Sequence, residues 1–344
     1  MSEIITRQVV LASRPQGEPT DDNFRIVESP LPACGDGEVL VRTIYLSLDP
    51  YMRGRMSAAK SYAEPVPIGG VMEGGAVSEV LDSRHEGFKK GDFVVGSTGW
   101  QTYALAKGAY LSKIKIDSKI APLSTAVGVL GMPGMTAYTG LLNIGQPKEC
   151  ETVVVAAASG AVGAIVGQIA KIKGARVVGI AGGKEKCDFV VNELGFDACL
   201  DHREDYLAQR LAEACPKGID VYFENVGGKV AEAVYPLLNN FARVPVCGLI
   251  ANYNDSAPPP GPNMAPALMR SILTKRLTLR GFIVSDFASQ RDDFLKDVTN
   301  WISEGKIKYR EDIVDGLDNA PRAFQGLLRG ENFGKLVVKV ADAN

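Results

Sequence analysis

Apolar residues follow two different patterns along the chain, with the change near residue 130. Before it, apolar and β-branched residues come in short runs broken by glycine and proline. Residues 37–48 form one run, 69–81 a glycine-rich strand-pair candidate, and 93–98 a strand after the turn-like Lys90-Gly91-Asp92. Such punctuation predicts a barrel or sandwich of short strands. A helical segment at 125–130 leads out of it. Beyond that point strands and helices alternate. Residues 151–157 are almost continuously apolar, as in a strand buried on both faces. Residues 135–142, 162–173, 185–194, 204–215, 229–238 and 294–304 have helical spacing, and 176–181, 198–200, 219–223, 242–247 and 277–284 read as strands. This alternation predicts an α/β domain with a doubly wound parallel sheet. The proline-rich stretch 254–266 reads as a loop. The tail ends in a strand at 335–340 that returns to the first domain, since a sheet of about six strands is already complete before it. The expected domains are 1–128, completed by 301–344, and 129–300.

Composition narrows the class without naming a chemistry. A length of 344 residues favours two domains, and 46% hydrophobic with 23% charged residues is typical of a globular protein. A net charge of -2 offers no general attraction to nucleic acid or an anionic membrane. No apolar run approaches the roughly 18 residues of a membrane span, and residues 1–16 lack a secretory pattern. The six cysteines are scattered, as expected of reduced thiols in a cytoplasmic protein.

Candidate chemistry begins between the first α/β strand and its helix, at Ala156-Ala157-Ala158-Ser159-Gly160-Ala161-Val162-Gly163. This is a degenerate Gly-x-Gly-x-x-Gly dinucleotide fingerprint, with Ala158 at the first glycine position. Gly160 lets the backbone approach a pyrophosphate, Gly163 lets the helix pack on the strand, and the helix N-terminus faces the phosphates. The bare alternative is a tight turn without a ligand; the flanking strand–helix units favour the nucleotide. At the end of the second strand, NAD-binding domains place an acid for the ribose 2′-hydroxyl. Here Ala181-Gly182-Gly183 is followed by Lys184 and Lys186. A missing acid and added cations point to the 2′-phosphate of NADPH. Only His85 and His202 are present, and no Cys or His pair has zinc-ligand spacing, so metal chemistry is not expected.

Several longer motifs then carry a resemblance over nearly the whole chain. They are Asp49-Pro50-Tyr51-Met52-Arg53, Gly131-Met132-Pro133-Gly134-Met135-Thr136-Ala137-Tyr138, Glu224-Asn225-Val226-Gly227-Gly228, Cys247-Gly248-Leu249-Ile250-Ala251-Asn252-Tyr253-Asn254 and Asn332-Phe333-Gly334-Lys335. With the glycine turn, they resemble the zinc-independent medium-chain dehydrogenase/reductases of the prostaglandin reductase, alkenal/one reductase and bacterial curcumin reductase group. The resemblance implies a GroES-like substrate domain, a Rossmann domain with NADPH in the cleft between them, and a homodimer joined through the Rossmann sheet edge. It implies reduction of the C=C bond of an α,β-unsaturated ketone or aldehyde.

Carried over by position, Gly160, Ala161, Val162 and Gly163 hold the pyrophosphate. Gly183 belongs to the second turn, and Lys186 takes the 2′-phosphate. Asn225 contacts the ribose or nicotinamide side, while Cys247, Gly248, Tyr253, Phe282, Ile283 and Val284 line the nicotinamide. Asn332 closes the cofactor site from the tail. Relatives usually carry a tyrosine after the third strand, where this chain has Asp201-His202-Arg203, so His202 or Arg203 replaces that contact. Tyr253 is the expected donor to the enolate, and Tyr51 is the alternative. Each tyrosine also has a plain packing role open to it. Quinone reduction and non-catalytic NADPH binding remain alternative functions.

Overall fold

The computed structural model describes residues 4–257 and 263–343. They form two compact units, one from residues 1–128 and 311–344, the other from 129–310. In the first unit β1 (Ile4–Leu11) and β2 (Phe24–Leu31) pair antiparallel over their full length. Then come β3 (Glu38–Ser47), the short α1 (Met52–Arg55), β4 (Ala76–Ser83), β5 (Phe93–Gly96), β6 (Tyr103–Lys107) and β7 (Ser112–Lys113). The second unit contains α2 (Met132–Thr139), β8 (Thr152–Ala156), α3 (Gly163–Ile172), β9 (Arg176–Ala181), α4 (Lys184–Asn192) and β10 (Ala198–Asp201). It continues with α5 (Leu207–Ala214), β11 (Ile219–Phe223), α6 (Gly228–Val234), β12 (Leu238–Val246), α7 (Ala265–Lys275), β13 (Thr278–Gly281) and α8 (Arg291–Ser303). The chain then returns to the first unit with β14 (Glu311–Asp315), α9 (Ala320–Leu328) and β15 (Lys335–Lys339).

The first unit is a mostly antiparallel sheet in the order β14-β15-β3-β4-β5-β7, with β6 also paired to β3. Its core holds Trp100, fully buried, stacked on Phe24 at 5.9 Å and edge-on to Phe324 at 5.6 Å. Such aromatic packing concentrates a large buried apolar area in few residues. The second unit is a six-stranded parallel sheet in the order β10-β9-β8-β11-β12-β13. Val153, Val154 and Val155 of β8 are fully buried, because helices cover both faces of the sheet. Strand order reverses between β8 and β11, and ligands of open α/β sheets bind beyond the strand ends at such a reversal.

Several boundaries differ from the sequence reading for identifiable reasons. The helix expected to run to residue 238 ends at Val234, because Pro236 cannot continue it and a short 3₁₀ turn leads into β12. The expected helix at 125–130 is a 3₁₀ turn, Leu123–Val127, stopped at Gly128. α2 starts earlier than expected and passes into a π-helical turn, Gly140–Gly145. Pro266, read as part of a loop, sits in the first turn of α7, where its missing N–H costs nothing. The hairpin β1–β2 is not among the expected elements: Pro15, Gly17 and Pro19 lie in its connection, but residues 12–23 make that connection far longer than the tight turn that marks a hairpin in a sequence. The second unit extends past residue 300 to Arg310: α8 runs to Ser303, and Gln168 of α3 holds both backbone groups of Lys308 at 2.8 Å. Pro258, Pro259 and Pro260 lie outside the described residues.

Candidate functional site

The turn after β8 is shaped by backbone contacts. Ala157 takes the left-handed conformation, with φ of 52°. Its carbonyl accepts the Gly160 N–H at 2.9 Å, and the Gly160 carbonyl accepts the Ala164 N–H at 3.0 Å. Between these, none of the turn's backbone hydrogen bonds is donated by Ala161, Val162 or Gly163. Those N–H groups stand at the start of α3, where a helix presents unsatisfied donors and its positive dipole end. A Cβ on Gly163 would lie 2.3 Å from the Ala157 carbonyl oxygen, and one on Gly160 3.2 Å from it. Gly163 is therefore required by sterics, whereas a side chain at 160 would need the Ala157 carbonyl to give by only a few tenths of an ångström. Ala158 replaces the first glycine without strain. Its methyl packs against Gly179 of β9, where a Cβ would come within 2.8 Å of it. The neighbouring strand supplies the close approach that the fingerprint normally builds into the turn itself.

The turn after β9 is shaped by side chains. β9 and β10 pair in parallel with Ala181 opposite Asp201, so Gly182-Gly183 and His202-Arg203 emerge side by side. A Cβ on Gly182 would lie 3.0 Å from His202 Nε2 and 3.2 Å from Arg203 Nε. Lys186 stands in the first turn of α4, and its charge is felt by His202. Lys184 is engaged outward with Asp188 at 2.5 Å. Asp201 is the acid at this corner. Its carboxylate accepts the N–H of Gly183 and, at 2.9 Å, that of Arg203. These bonds and the His202 and Arg203 charges outweigh burial and hold it below its ordinary pKa. Asp201 therefore braces the two turns against each other, a role its sequence position did not disclose.

Across the strand-order reversal, the segment after β11 is pinned by Glu224. Its fully buried carboxylate accepts from the Tyr222 hydroxyl at 2.9 Å and from the Val226 and Gly227 N–H groups at 2.8 Å. Its backbone carbonyl accepts from the N–H groups of Cys247 and Gly248. One residue thus holds both loops expected along the nicotinamide, and sequence reading had given it no role. Asn225 donates from Nδ2 to the Ala156 carbonyl at 2.8 Å, tying the ends of β11 and β8 together. The Cys247 thiol is pushed up to about 12 by burial and then by Glu224, so it stays protonated at neutral pH. Tyr253 folds back over Gly248: its hydroxyl accepts the Leu249 N–H at 3.3 Å and lies 3.0 Å from where a Gly248 Cβ would be. Any larger residue at 248 would push the phenol away. The Phe282 ring packs on Phe223 and Phe287, at centroid distances of 6.4 and 6.1 Å. Its backbone continues through Ile283, whose N–H bonds Asp286, into Val284.

Tyr51 and Asn332 belong to the first unit. Arg55 stands over the Tyr51 ring at 5.5 Å and the Tyr62 ring at 4.4 Å, and pairs with Glu73 at 3.2 Å. Burial, then Asp49 and Glu73, push the Tyr51 phenol well above its ordinary pKa, so it keeps its proton. Asn332 donates to the Gly334 carbonyl at 2.8 Å. The next residue, Lys335, is buried and donates to the Leu48 carbonyl at 2.7 Å and to Asp49 at 3.1 Å. That pair joins two of the sequence motifs at the base of the Tyr51 segment.

Comparison with known proteins identifies the family. Residues 7–114 match a family model described as the N-terminal domain of oxidoreductase, and residues 161–304 one described as zinc-binding dehydrogenase. The residues do not fit the ion in that second description: among the described residues no three His, Cys, Asp or Glu side chains gather as a metal would require. The chain is 57% identical, over 97% of both chains, to the NADPH-dependent curcumin reductase of Escherichia coli (strain K12). It is 43% identical to prostaglandin reductase 1 of Bos taurus, over 94% of this chain and 95% of the other. The crystal structure of CurA in complex with NADPH from Vibrio vulnificus is 55% identical. It covers 98% of this chain and 99% of its own, with a TM-score of 0.94.

Proposed function

The chain belongs to the prostaglandin reductase, alkenal/one reductase and curcumin reductase group of the medium-chain dehydrogenase/reductases, and from that premise we propose that it is an NADPH-dependent reductase of α,β-unsaturated ketones and aldehydes. The observation that carries this reading is the corner after β9 and β10. Two cationic side chains and an imidazole stand there, and the acid is already committed to backbone N–H groups. That arrangement suits a phosphate and leaves no free carboxylate for a ribose 2′-hydroxyl.

When bound, NADPH supplies a hydride to the substrate β-carbon. The chain's own residues do the rest. The Ala161–Gly163 N–H groups and the α3 N-terminus receive the pyrophosphate. Glu224 keeps the Asn225 and Cys247 loops in register for the nicotinamide. The Tyr253 hydroxyl, held beside Gly248 and accepting the Leu249 N–H, is the candidate donor to an enolate oxygen, and the α-carbon then takes a proton from solvent. Tyr51 is the second candidate donor, since its phenol remains protonated. A cytoplasmic setting is supported by the six free thiols. A homodimer is supported by β13, the outer strand of its sheet, and by α7, which leaves Met269 and Leu273 exposed beside it.

The test is steady-state reduction of a simple enone with NADPH and NADH, with a benzoquinone for comparison. Faster turnover with NADH, or turnover of the quinone alone, would refute the reading. Tyr253→Phe is expected to lower kcat by about 100-fold, the scale of losing one oxyanion donor. An unchanged rate would transfer the role to Tyr51, to be checked with Tyr51→Phe.

A further inference from the structure

The corner after β9 and β10 carries an imidazole, the side chain whose ordinary ionisation lies closest to neutral pH. His202 donates its backbone N–H to the Ala181 carbonyl at 3.0 Å, which fixes the residue at the root of the Gly182-Gly183 turn. Its Nε2 and the Arg203 guanidinium flank that turn, within 3.0 and 3.2 Å of a Cβ at Gly182. Both can reach the turn because position 182 has no side chain. The charged groups facing the imidazole are Asp201 and Arg203, from the end of β10, and Lys186, from the first turn of α4. Glu204 is engaged with Arg210, and Lys184 with Asp188.

We propose that NADPH binding places a proton on His202, which then closes the 2′-phosphate subsite as a third cation beside Lys186 and Arg203. This rests on the NADPH reading above and adds to it that cofactor choice is linked to pH. The balance of charges gives the reason. In the free protein, partial burial lowers the imidazole pKa, Arg203 and Lys186 push the same way, and Asp201 opposes them. The imidazole is therefore neutral at pH 7 without a ligand. A phosphate monoester brings about −1.5 to −2 charges and three acceptor oxygens. Placed against the turn, it reverses the sign of the local field and makes the imidazolium the favoured form. NADH lacks that phosphate and leaves the imidazole neutral. A tyrosine at this position would give a hydroxyl contact without a charge.

The experiment is titration calorimetry of the full-length protein with NADPH at pH 7, in buffers of differing ionisation enthalpy. These measurements give the number of protons exchanged on binding. The 2′-phosphate has its own ionisation near pH 6, common to every protein variant, so the difference between variants is the readout. Wild type is expected to take up about half a proton more per NADPH than His202→Gln or His202→Tyr. The affinity of His202→Gln for NADPH is expected to be about tenfold weaker, one charge-assisted hydrogen bond. The deficit should grow as pH falls from about 8 to 6, through the range where an imidazole takes up its proton. Equal proton counts in wild type and both variants would overturn the proposal and leave the NADPH reading standing. Failure of wild type to bind NADPH would overturn both.

Discussion

The two turns that leave the parallel sheet after β8 and β9 are built by opposite means, and on the proposed reading they serve the same ligand. The first is built almost wholly from backbone. Its requirements are steric, and its determinants are Gly163, Gly160 and the left-handed Ala157. The second is built from side chains that arrive from two strand ends and a helix. Its determinants are His202, Arg203, Lys186 and the bracing carboxylate of Asp201. On that reading the first turn is blind to which dinucleotide it holds, because every dinucleotide has the same pyrophosphate. On the proposed reading the second turn does the discriminating, because a 2′-phosphate differs from a hydroxyl by charge.

The comparison is broken most easily at the first turn. Gly163→Val drives a side chain into the Ala157 carbonyl, and overpacking of this kind costs about 1–3 kcal/mol. Binding of NADPH and NADH should therefore fall together, by about 10- to 100-fold in titrations of each. A loss confined to one of them would end the claim that this turn is blind. The second turn should behave in the opposite way. Lys186→Ala removes a charge-assisted contact worth about 1.5–3 kcal/mol. The Kd for NADPH should rise about tenfold or more while that for NADH moves by less than about twofold. Parallel losses would mean that Lys186 supports the fold and does not read the phosphate.

The smallest effect is expected at Asp201. Its carboxyl is held below its ordinary value by backbone N–H groups and nearby cations, after burial has pushed the other way. A depressed carboxyl stabilises the folded state fully above its unfolded pKa of about 4 and loses that contribution as pH falls through the folded value. Asp201→Asn should therefore lower the melting temperature at pH 7 by an amount equivalent to about 1 kcal/mol or less. The gap from wild type should close as pH falls below the ordinary carboxylate range and through the lowered folded value. A gap that persists undiminished in acid would show that Asp201 acts by shape and not by charge.

Local pattern determined a good deal on its own. Nearly continuous apolar runs marked β8, β9 and β11 to within a residue, since a strand covered on both faces is apolar along most of its length. Pro236 and Pro266 misled because proline reports a local constraint, a missing N–H and a fixed φ. Whether that ends a helix or begins one depends on its neighbours. Glycine positions in the first turn were legible because a steric demand on backbone is written at the residue that meets it.

What the tertiary structure alone decided concerns groups distant in sequence. Gly179 excuses Ala158 because parallel pairing puts β9 beside the turn. Glu224 holds the loop at Cys247 because β11 and β12 are neighbours. Asp201, the acid that ends the third strand of the parallel sheet, is spent on the N–H groups of Gly183 and Arg203 because Ala181 and Asp201 share a register. A steric need belongs to one residue and is visible in the chain. A charge has no fixed meaning until folding shows what it faces, because its effect depends on distance and on the partners already satisfying it.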